Sequence, residues 1–386
     1  MNSIIDIGFF PVDNPLEKLG DNFSEWENIG TNLVELNTTG SIVSAVYSIK
    51  EVDYTTITSI RELRRAYILL SMITSSFLKH TNLKILPKQI AMPLWHVSNI
   101  LGISPICTHA GLDLWNFKKI DSSGPKIVEN LEQITSFTGT PDEKYFFLIM
   151  TEIEDIGKDI FDKLLTVPLL VLSKDTASLI HILNELYLII QKINITMNKM
   201  FTGCKPEVFY NVLRPYLAGW YDDGLIFEGV SNEPTRYKGG SAAQSSLIQL
   251  FDIVLGVYHD SPFFKEMREY MPNDHANILN KLELEMKECN IYEFIMKKKF
   301  ITYSSFKDQY TKGLEDNFSD ETIDDSDLKK AYKKCIVELS KFRHIHFEIA
   351  YKYVTKMNPE SVKGTGGQEL KTFLDTARKE TTHNIK

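Results

Sequence analysis

Seven stretches of this chain step their apolar residues by alternating threes and fours, and only a helix buries that pattern on one face. They span 57–79, 142–165, 176–200, 243–257, 263–286, 327–354 and 367–379. Each runs for several turns, so each predicts a helix with an apolar side to cover. Start signals support two of them. Pro141-Asp142-Glu143 puts carboxylates in a first turn, and Ser326-Asp327 precedes the long stretch near the C-terminus. Strand-like alternation is short and rare, with 41–49 and 225–227 the better candidates. No solenoid-period repeat or low-complexity tract interrupts this picture, and the expected fold class is all-α.

With 386 residues the chain can form more than one folding unit, at roughly 150 residues each. Turn-forming residues cluster at 121–126 (DSSGPK) and 138–142 (TGTPD). They mark the expected link between an N-terminal unit, 1–137, and a C-terminal one, 138–386, as two lobes of one helical protein. The stretch 229–241 reads as a loop, and the acidic run 315–327 reads as solvated.

Charge and composition exclude several classes. Lys and Arg number 43 against 51 Asp and Glu, a formal charge of −8, which argues against a nucleic-acid partner. The longest apolar runs, 145–150 and 164–172, fall well short of the ~20 residues that cross a bilayer, so no membrane partner is expected. The opening MNSIIDIGFFPVDNP has neither a basic n-region nor an apolar h-region, so no secretory leader is expected. Cys107, Cys204, Cys289 and Cys335 form no CxxC pair, which fits reduced thiols and a cytoplasmic protein.

No HExxH, GxxxxGK, GxSxG or GxGxxG motif is present. Of nine dispersed histidines only His344 and His346 lie close together, and on a helix they point about 200° apart. Cys335, Leu339, Phe342, His346, Ile349 and Tyr353 form one stripe with an imidazole in its middle. A histidine so placed is more often a satisfied core residue than a ligand. Arg343, one turn earlier, raises the second possibility, because a free imidazole beside a cation suits an iron porphyrin with propionates.

Three further segments could shape a site for a flat, charged ligand. Phe209 and Tyr210 precede Arg214, as in a site that stacks a ring and pairs its carboxylate; an ordinary helix end reads the same. Gly239-Gly240-Ser241-Ala242 allows close backbone approach or simply makes a turn and an N-cap. Gly364-Thr365-Gly366-Gly367 offers amides and a hydroxyl, or is merely a flexible turn.

Taken in order, 209–220 (FYNVLRPYLAGW), 239–252 (GGSAAQSSLIQLFD), 267–272 (MREYMP), 343–346 (RHIH) and 364–367 (GTGG) resemble the indoleamine 2,3-dioxygenase family. Segments 8–11 (GFFP), 86–93 (LPKQIAMP) and 142–154 are similar as well, so the resemblance spans nearly the whole chain. It implies a helical fold with a small domain over a large one that holds haem b. It further implies His346 as the proximal iron ligand, Arg343 on a haem propionate, and Asp252 as the carboxylate behind the imidazole. Phe146 and Phe209 would wall the distal pocket, Ser241 and Ala242 would line it, Gly240 would contact the cofactor, Arg214 would take the substrate carboxylate, and Thr365 would close on the amino group. The implied reaction inserts both atoms of O₂ across the indole C2–C3 bond of tryptophan or a related indoleamine, giving an N-formylkynurenine-type product. The implied partners are a small aromatic substrate and an electron donor that keeps the iron ferrous.

Three positions depart from the family pattern. His109 and Asp113 stand where it has an aromatic Tyr and an aliphatic residue, and Met150 stands where animal members have a small serine. A histidine and a carboxylate in an apolar wall must pair with each other or with a polar substrate group. They lie i to i+4 apart, within pairing reach on a helix. Either they neutralise each other and tryptophan remains the substrate, or they read a more polar aromatic substrate or act as acid–base groups. A haem sensor without oxygenase activity and a haem-free helical adaptor are the further alternatives.

Overall fold

The computed structural model describes residues 6–296, 325–359 and 363–383. Helices dominate it: α1 (Ser24–Thr31), α2 (Leu33–Thr39), α3 (Ile42–Ser48), α4 (Ile60–Lys79), α5 (Lys88–Leu101), α6 (Pro141–Gly157), α7 (Phe161–Leu172), α8 (Thr176–Asn198), α9 (Ser246–Val254), α10 (Asn273–Glu288), α11 (Asp325–Ala350) and α12 (Leu370–His383). The described strands are two or three residues long and pair only two at a time, so the all-α expectation holds. Most of the acidic run 315–327 lies outside the described residues. No described helix is long and apolar enough to cross a membrane.

Capping chemistry explains where the helices begin. Ser59 accepts from the Glu62 amide at the start of α4. Thr140 accepts from the Glu143 amide, with Pro141 at the first helical position of α6. Asp175 and Ser245 do the same for α8 and α9. Three expectations were corrected. The helix expected over 142–165 is two, since α6 ends at Gly157 and α7 starts at Phe161 after a 3-10 turn. The 41–49 segment is not a strand but α3: Ile42, Val46 and Ile49 are buried, and their steps of four and three are helical. The single helix expected over 263–286 is broken, because Pro272 follows the extended Met271 and α10 starts only at Asn273.

Helix α4 is buried along its whole length from Leu63 to Phe77 and packs against α1, α3 and α5. Further on, α11 packs against both α8 and α12. The buried apolar residues on both sides of position 137 belong to one contiguous cluster. All four cysteines are buried and unpaired.

One ion pair within this core ties three elements together. Arg65, on the buried face of α4, donates to both Glu27 oxygens at 3.0 and 2.6 Å and to Thr135 Oγ1 at 2.8 Å. Glu27 also accepts from the Leu19 amide at 2.8 Å. The pair therefore joins α1, α4 and the loop before α6. Removing one member strands the other's charge in the interior. Arg65→Ala is accordingly expected to lower unfolding free energy by about 3–5 kcal/mol, read from the urea midpoint; a loss below about 1 kcal/mol would mean that the pair does not hold these elements together.

Candidate active site

Helix α6 turns Phe146, Phe147 and Met150 into a cavity that encloses about 1180 Å³ of empty space, its opening included. The opposite wall comes from α11 with His346, Ile349 and Ala350. Three π-helical turns bring in the rest: 110–114 carries Leu112 and Asp113, 209–213 carries Phe209, and 351–355 carries Tyr353. A π turn fits one extra residue into the helix and so re-aims the side chains that follow, which is why such turns gather at functional sites. His109, Arg214, Gly240, Ser241, Ala242 and Thr365 complete the wall together with Phe263 and Phe373. Sequence positions more than 200 apart thus meet around one space, and all but two of the sequence candidates line it. Asp252 and Arg343 stand outside this wall.

The cavity has an aromatic flank. Phe146 and Phe209 have ring centroids 4.6 Å apart, and Tyr353 meets Phe209 edge-on at 5.9 Å. Tyr353 is itself anchored by donating to the Met200 and Cys204 carbonyls at 2.7 and 2.6 Å. Arg214, half-buried beside them, lies over Tyr210 and donates to the Lys363 carbonyl at 3.0 Å. Among the described residues no carboxylate pairs with it, so most of its donors are left for a ligand.

The floor is held by backbone. The Gly239 amide donates to the Thr365 carbonyl at 3.1 Å, and the Thr365 hydroxyl donates to the Gly240 carbonyl. The glycine pattern has a reason that the sequence alone left open. A Cβ on Gly239 would meet the Leu217 carbonyl oxygen at 2.1 Å, and one on Gly219 would meet the Gly239 nitrogen and the Tyr237 oxygen at 2.4 Å. Two chain segments therefore cross at a distance that only hydrogen allows. At Gly240, by contrast, an added Cβ finds only the Cys107 oxygen, at 3.6 Å.

His346 and His109 face the same cavity in opposite states of charge. Burial, followed by the nearby Arg343 charge, pushes the His346 imidazole down to about 4. It is neutral at pH 7, and no described residue hydrogen-bonds its ring. A neutral imidazole with a free nitrogen in an apolar cavity is the donor an iron porphyrin needs, so this site fits haem. The other histidine lies between two carboxylates, His109 Nδ1 to Asp113 Oδ2 at 2.7 Å and His109 Nε2 to Glu154 Oε1 at 2.8 Å. Burial works against its charge, but Asp113 and Glu154 outweigh burial and raise it to about 10. Asp113 is itself pushed up, by burial first and by Glu154, against the pull of His109. Ser245 donates to Glu154 Oε1 at 2.6 Å, closing the group on that side.

Behind α11 sits a second polar network. Arg343 pairs with Asp252 Oδ1, while Asp252 Oδ2 meets His259 Nε2 at 3.2 Å and His259 Nδ1 meets Glu380 Oε2 at 2.5 Å. Burial raises Asp252, but Arg343 and His259 overcome this and hold it low. Arg343 Nε is buried without a hydrogen-bond partner. Asp6, Asp274 and His275 are also close enough to share an ion, but Arg64 already forks onto Asp6 at 2.8 and 2.6 Å, and the group is not part of the cavity wall.

Glu154, Ser245, His259 and Glu380 were not among the sequence candidates. Glu154 carried a signal, since it continues the Phe146, Met150 face of α6 by one more step of four. Nothing in sequence links Glu380 to His259, 121 positions away.

The family model described as indoleamine 2,3-dioxygenase matches residues 4–384. Rat indoleamine 2,3-dioxygenase 1 is 30% identical over 97% of this chain and 93% of its own length. The Saccharomyces cerevisiae indoleamine 2,3-dioxygenase is 31% identical over 97% of this chain and 90% of its own. The 6-hydroxytryptophan 2,3-dioxygenase fscD of Fusarium equiseti is 28% identical over 93% and 87%. The chain belongs to the indoleamine 2,3-dioxygenase family.

The two histidines supply a direct check on the electrostatics. Imidazole NMR of the metal-free protein at pH 7 is expected to show His109 doubly protonated and His346 neutral. An unfolded His346 takes its proton near 6.5 and the folded one only near 4, so the stability from burying it neutral is complete above pH ~6.5. That contribution falls away as pH drops through this interval. A protonated His346 at pH 6 would contradict the assignment.

Proposed function

We propose that this member of the indoleamine 2,3-dioxygenase family is a haem-dependent dioxygenase that opens the indole ring of tryptophan or a related indoleamine between C2 and C3. The product is of the N-formylkynurenine type. One observation carries the reading: His346, a neutral imidazole that no described residue hydrogen-bonds, faces an apolar cavity whose wall also holds Arg214, which pairs with no described carboxylate.

In this reading His346 holds haem b through its free ring nitrogen, and Arg343, whose Nε has no partner, is offered to a propionate. Asp252 fixes Arg343 on α11 through their ion pair. Haem bound there, kept reduced by an external electron donor, supplies the O₂ activation that none of the side chains can supply. The remaining task is positioning. Phe146 and Phe209 present ring faces and edges to an indole and keep water from it. Arg214 receives the substrate carboxylate as a two-pronged donor, and the Thr365 oxygen, which has already donated its hydrogen to Gly240, can only accept, as an ammonium requires. Ser241 and Ala242 border the same space with small side chains. Two oriented reactants in one water-poor space gain the entropy of a bimolecular encounter before the chemistry starts.

Reconstitution with haemin tests this first. The wild-type protein is expected to give a haem Soret band and, with ascorbate and a redox mediator, to convert tryptophan or an indoleamine to the formylated ring-opened product. His346→Ala is expected to lose the haem. Arg214→Ala should keep the Soret band yet weaken binding of a carboxylate-bearing substrate at least about 30-fold, the lower end of what truncating a buried charged pair costs. A colourless wild-type preparation, or full turnover by His346→Ala, would rule the reading out.

A further inference from the structure

One polar atom in the cavity wall has no role in this scheme. Asp113 is 5% exposed; its Oδ2 accepts from His109, but its Oδ1 is buried and makes no hydrogen bond. The atoms that hold it in place are engaged. Both His109 nitrogens are engaged, and Glu154 Oε1 takes Ser245 as well as His109. The backbone here is tied down too, with the His109 amide donating to Gln244 Oε1 at 3.1 Å and Thr151 Oγ1 to the Asp113 carbonyl at 2.7 Å. Asp113 cannot swing away to find water without breaking its bond to His109.

Charge sharpens the point. His109, held as a cation, bonds one oxygen of Asp113 and one of Glu154 in a wall otherwise built from Leu112, Phe146, Phe147 and Met150. An ionised carboxylate only accepts hydrogen bonds. A group that completes this site must therefore bring an O–H or N–H donor, and a bare hydrocarbon edge leaves the oxygen stranded.

The place of this oxygen says which part of a substrate meets it. Phe146, which packs on Phe209 next to Arg214, and Glu154, which holds His109, are eight residues apart on α6, about 12 Å along the helix. Thr151, bonded to the Asp113 carbonyl, lies between them. A substrate whose carboxylate is at Arg214 and whose ring lies along Phe146 points its far edge toward Asp113.

We propose that Asp113 Oδ1 is a specificity determinant that accepts a hydrogen bond from a hydroxyl or amino substituent on the substrate's ring, so that the enzyme prefers a ring-hydroxylated or ring-aminated indole amino acid to tryptophan. This rests on the reading of the cavity as an indole site and narrows it to one substrate class. His109 and Glu154 are positioning residues for Asp113 and do not touch the substituent. A site built to satisfy a hydroxyl rejects the analogue that lacks it far more strongly than an apolar pocket rejects an added one.

The experiment compares tryptophan with its 4-, 5-, 6- and 7-hydroxy derivatives on the haem-loaded protein, by calorimetric dissociation constant and by kcat/KM. At least one hydroxylated isomer is expected to bind about 10-fold or more tightly than tryptophan. Asp113→Val should abolish or reverse that preference, and the isosteric Asp113→Asn, which keeps the volume but not the charge, should shrink it. Haem content and the circular-dichroism melt verify that each variant folds. Tryptophan bound as well as or better than all four isomers by the wild-type protein overturns the proposal, and so does an Asp113→Val variant that folds and keeps the preference. Because tryptophan turnover and the Soret band are read separately, a protein that opens tryptophan without discriminating defeats this inference alone, whereas one that takes up no haem defeats the dioxygenase reading.

Discussion

Helix α11 has one apolar stripe and two uses for it. Its first half must lock onto α8, and its second half must leave an imidazole uncommitted. The lock is made with more than hydrocarbon: Cys335 donates its thiol to the Leu183 carbonyl at 3.0 Å, and Asn194 donates to the Glu338 carbonyl at 3.1 Å. Leu339 and Phe342 fill the contact between these anchors and the cavity. With that half immobilised, His346 cannot rotate away from the open space, and no neighbour offers it a hydrogen bond. The ring faces the cavity with no described partner, and its position is fixed by interactions two to three turns away on the same helix. The aromatic flank, the glycine floor and the turn at 364–367 are arranged around that fixed point.

Charge is distributed on the two sides of the cavity by different rules. Behind His346 the network of Arg343, Asp252, His259 and Glu380 joins α9, α11 and α12, and its nearest cation adds to burial in keeping the imidazole neutral. At His109 two carboxylates do the reverse and hold the ring as a cation. The same side chain is thus a lone-pair donor at one wall, where burial and then Arg343 oppose its charge, and a hydrogen-bond donor at the other, where Asp113 and Glu154 outweigh burial.

Much of this was legible from residue spacing. The period of the apolar residues located the long helices, and the stripe through His346 placed that residue on a buried face before any coordinates were considered. The pairing of His109 with Asp113 followed from their separation of four. What spacing could not convey was anything set by a long-range neighbour. Ile42, Val46 and Ile49 read as easily as alternation, and only burial of that one set against α4 selects helix. The π turns leave no compositional mark, because an inserted residue changes where Phe209 and Asp113 point and not what they are. Arg343 was legible as a cation beside His346, but its engagement with Asp252, 91 positions away, was not.

The crossing of residues 217–219 under 237–239 bears on how this floor can vary among descendants of the chain. Each glycine there is opposed by main-chain atoms, not by a trimmable side group. A larger residue at either position has no compensating change available at the other, since no substitution shortens a carbonyl. Second-site suppressors of such a lesion can arise only by displacing a whole segment, which would carry Gly240 and Ser241 with it. Sequence drift at this floor is therefore confined to the outward side of the crossing, and diversification of the cavity is left to walls such as 109–113 and 146–154, whose members meet through replaceable side chains.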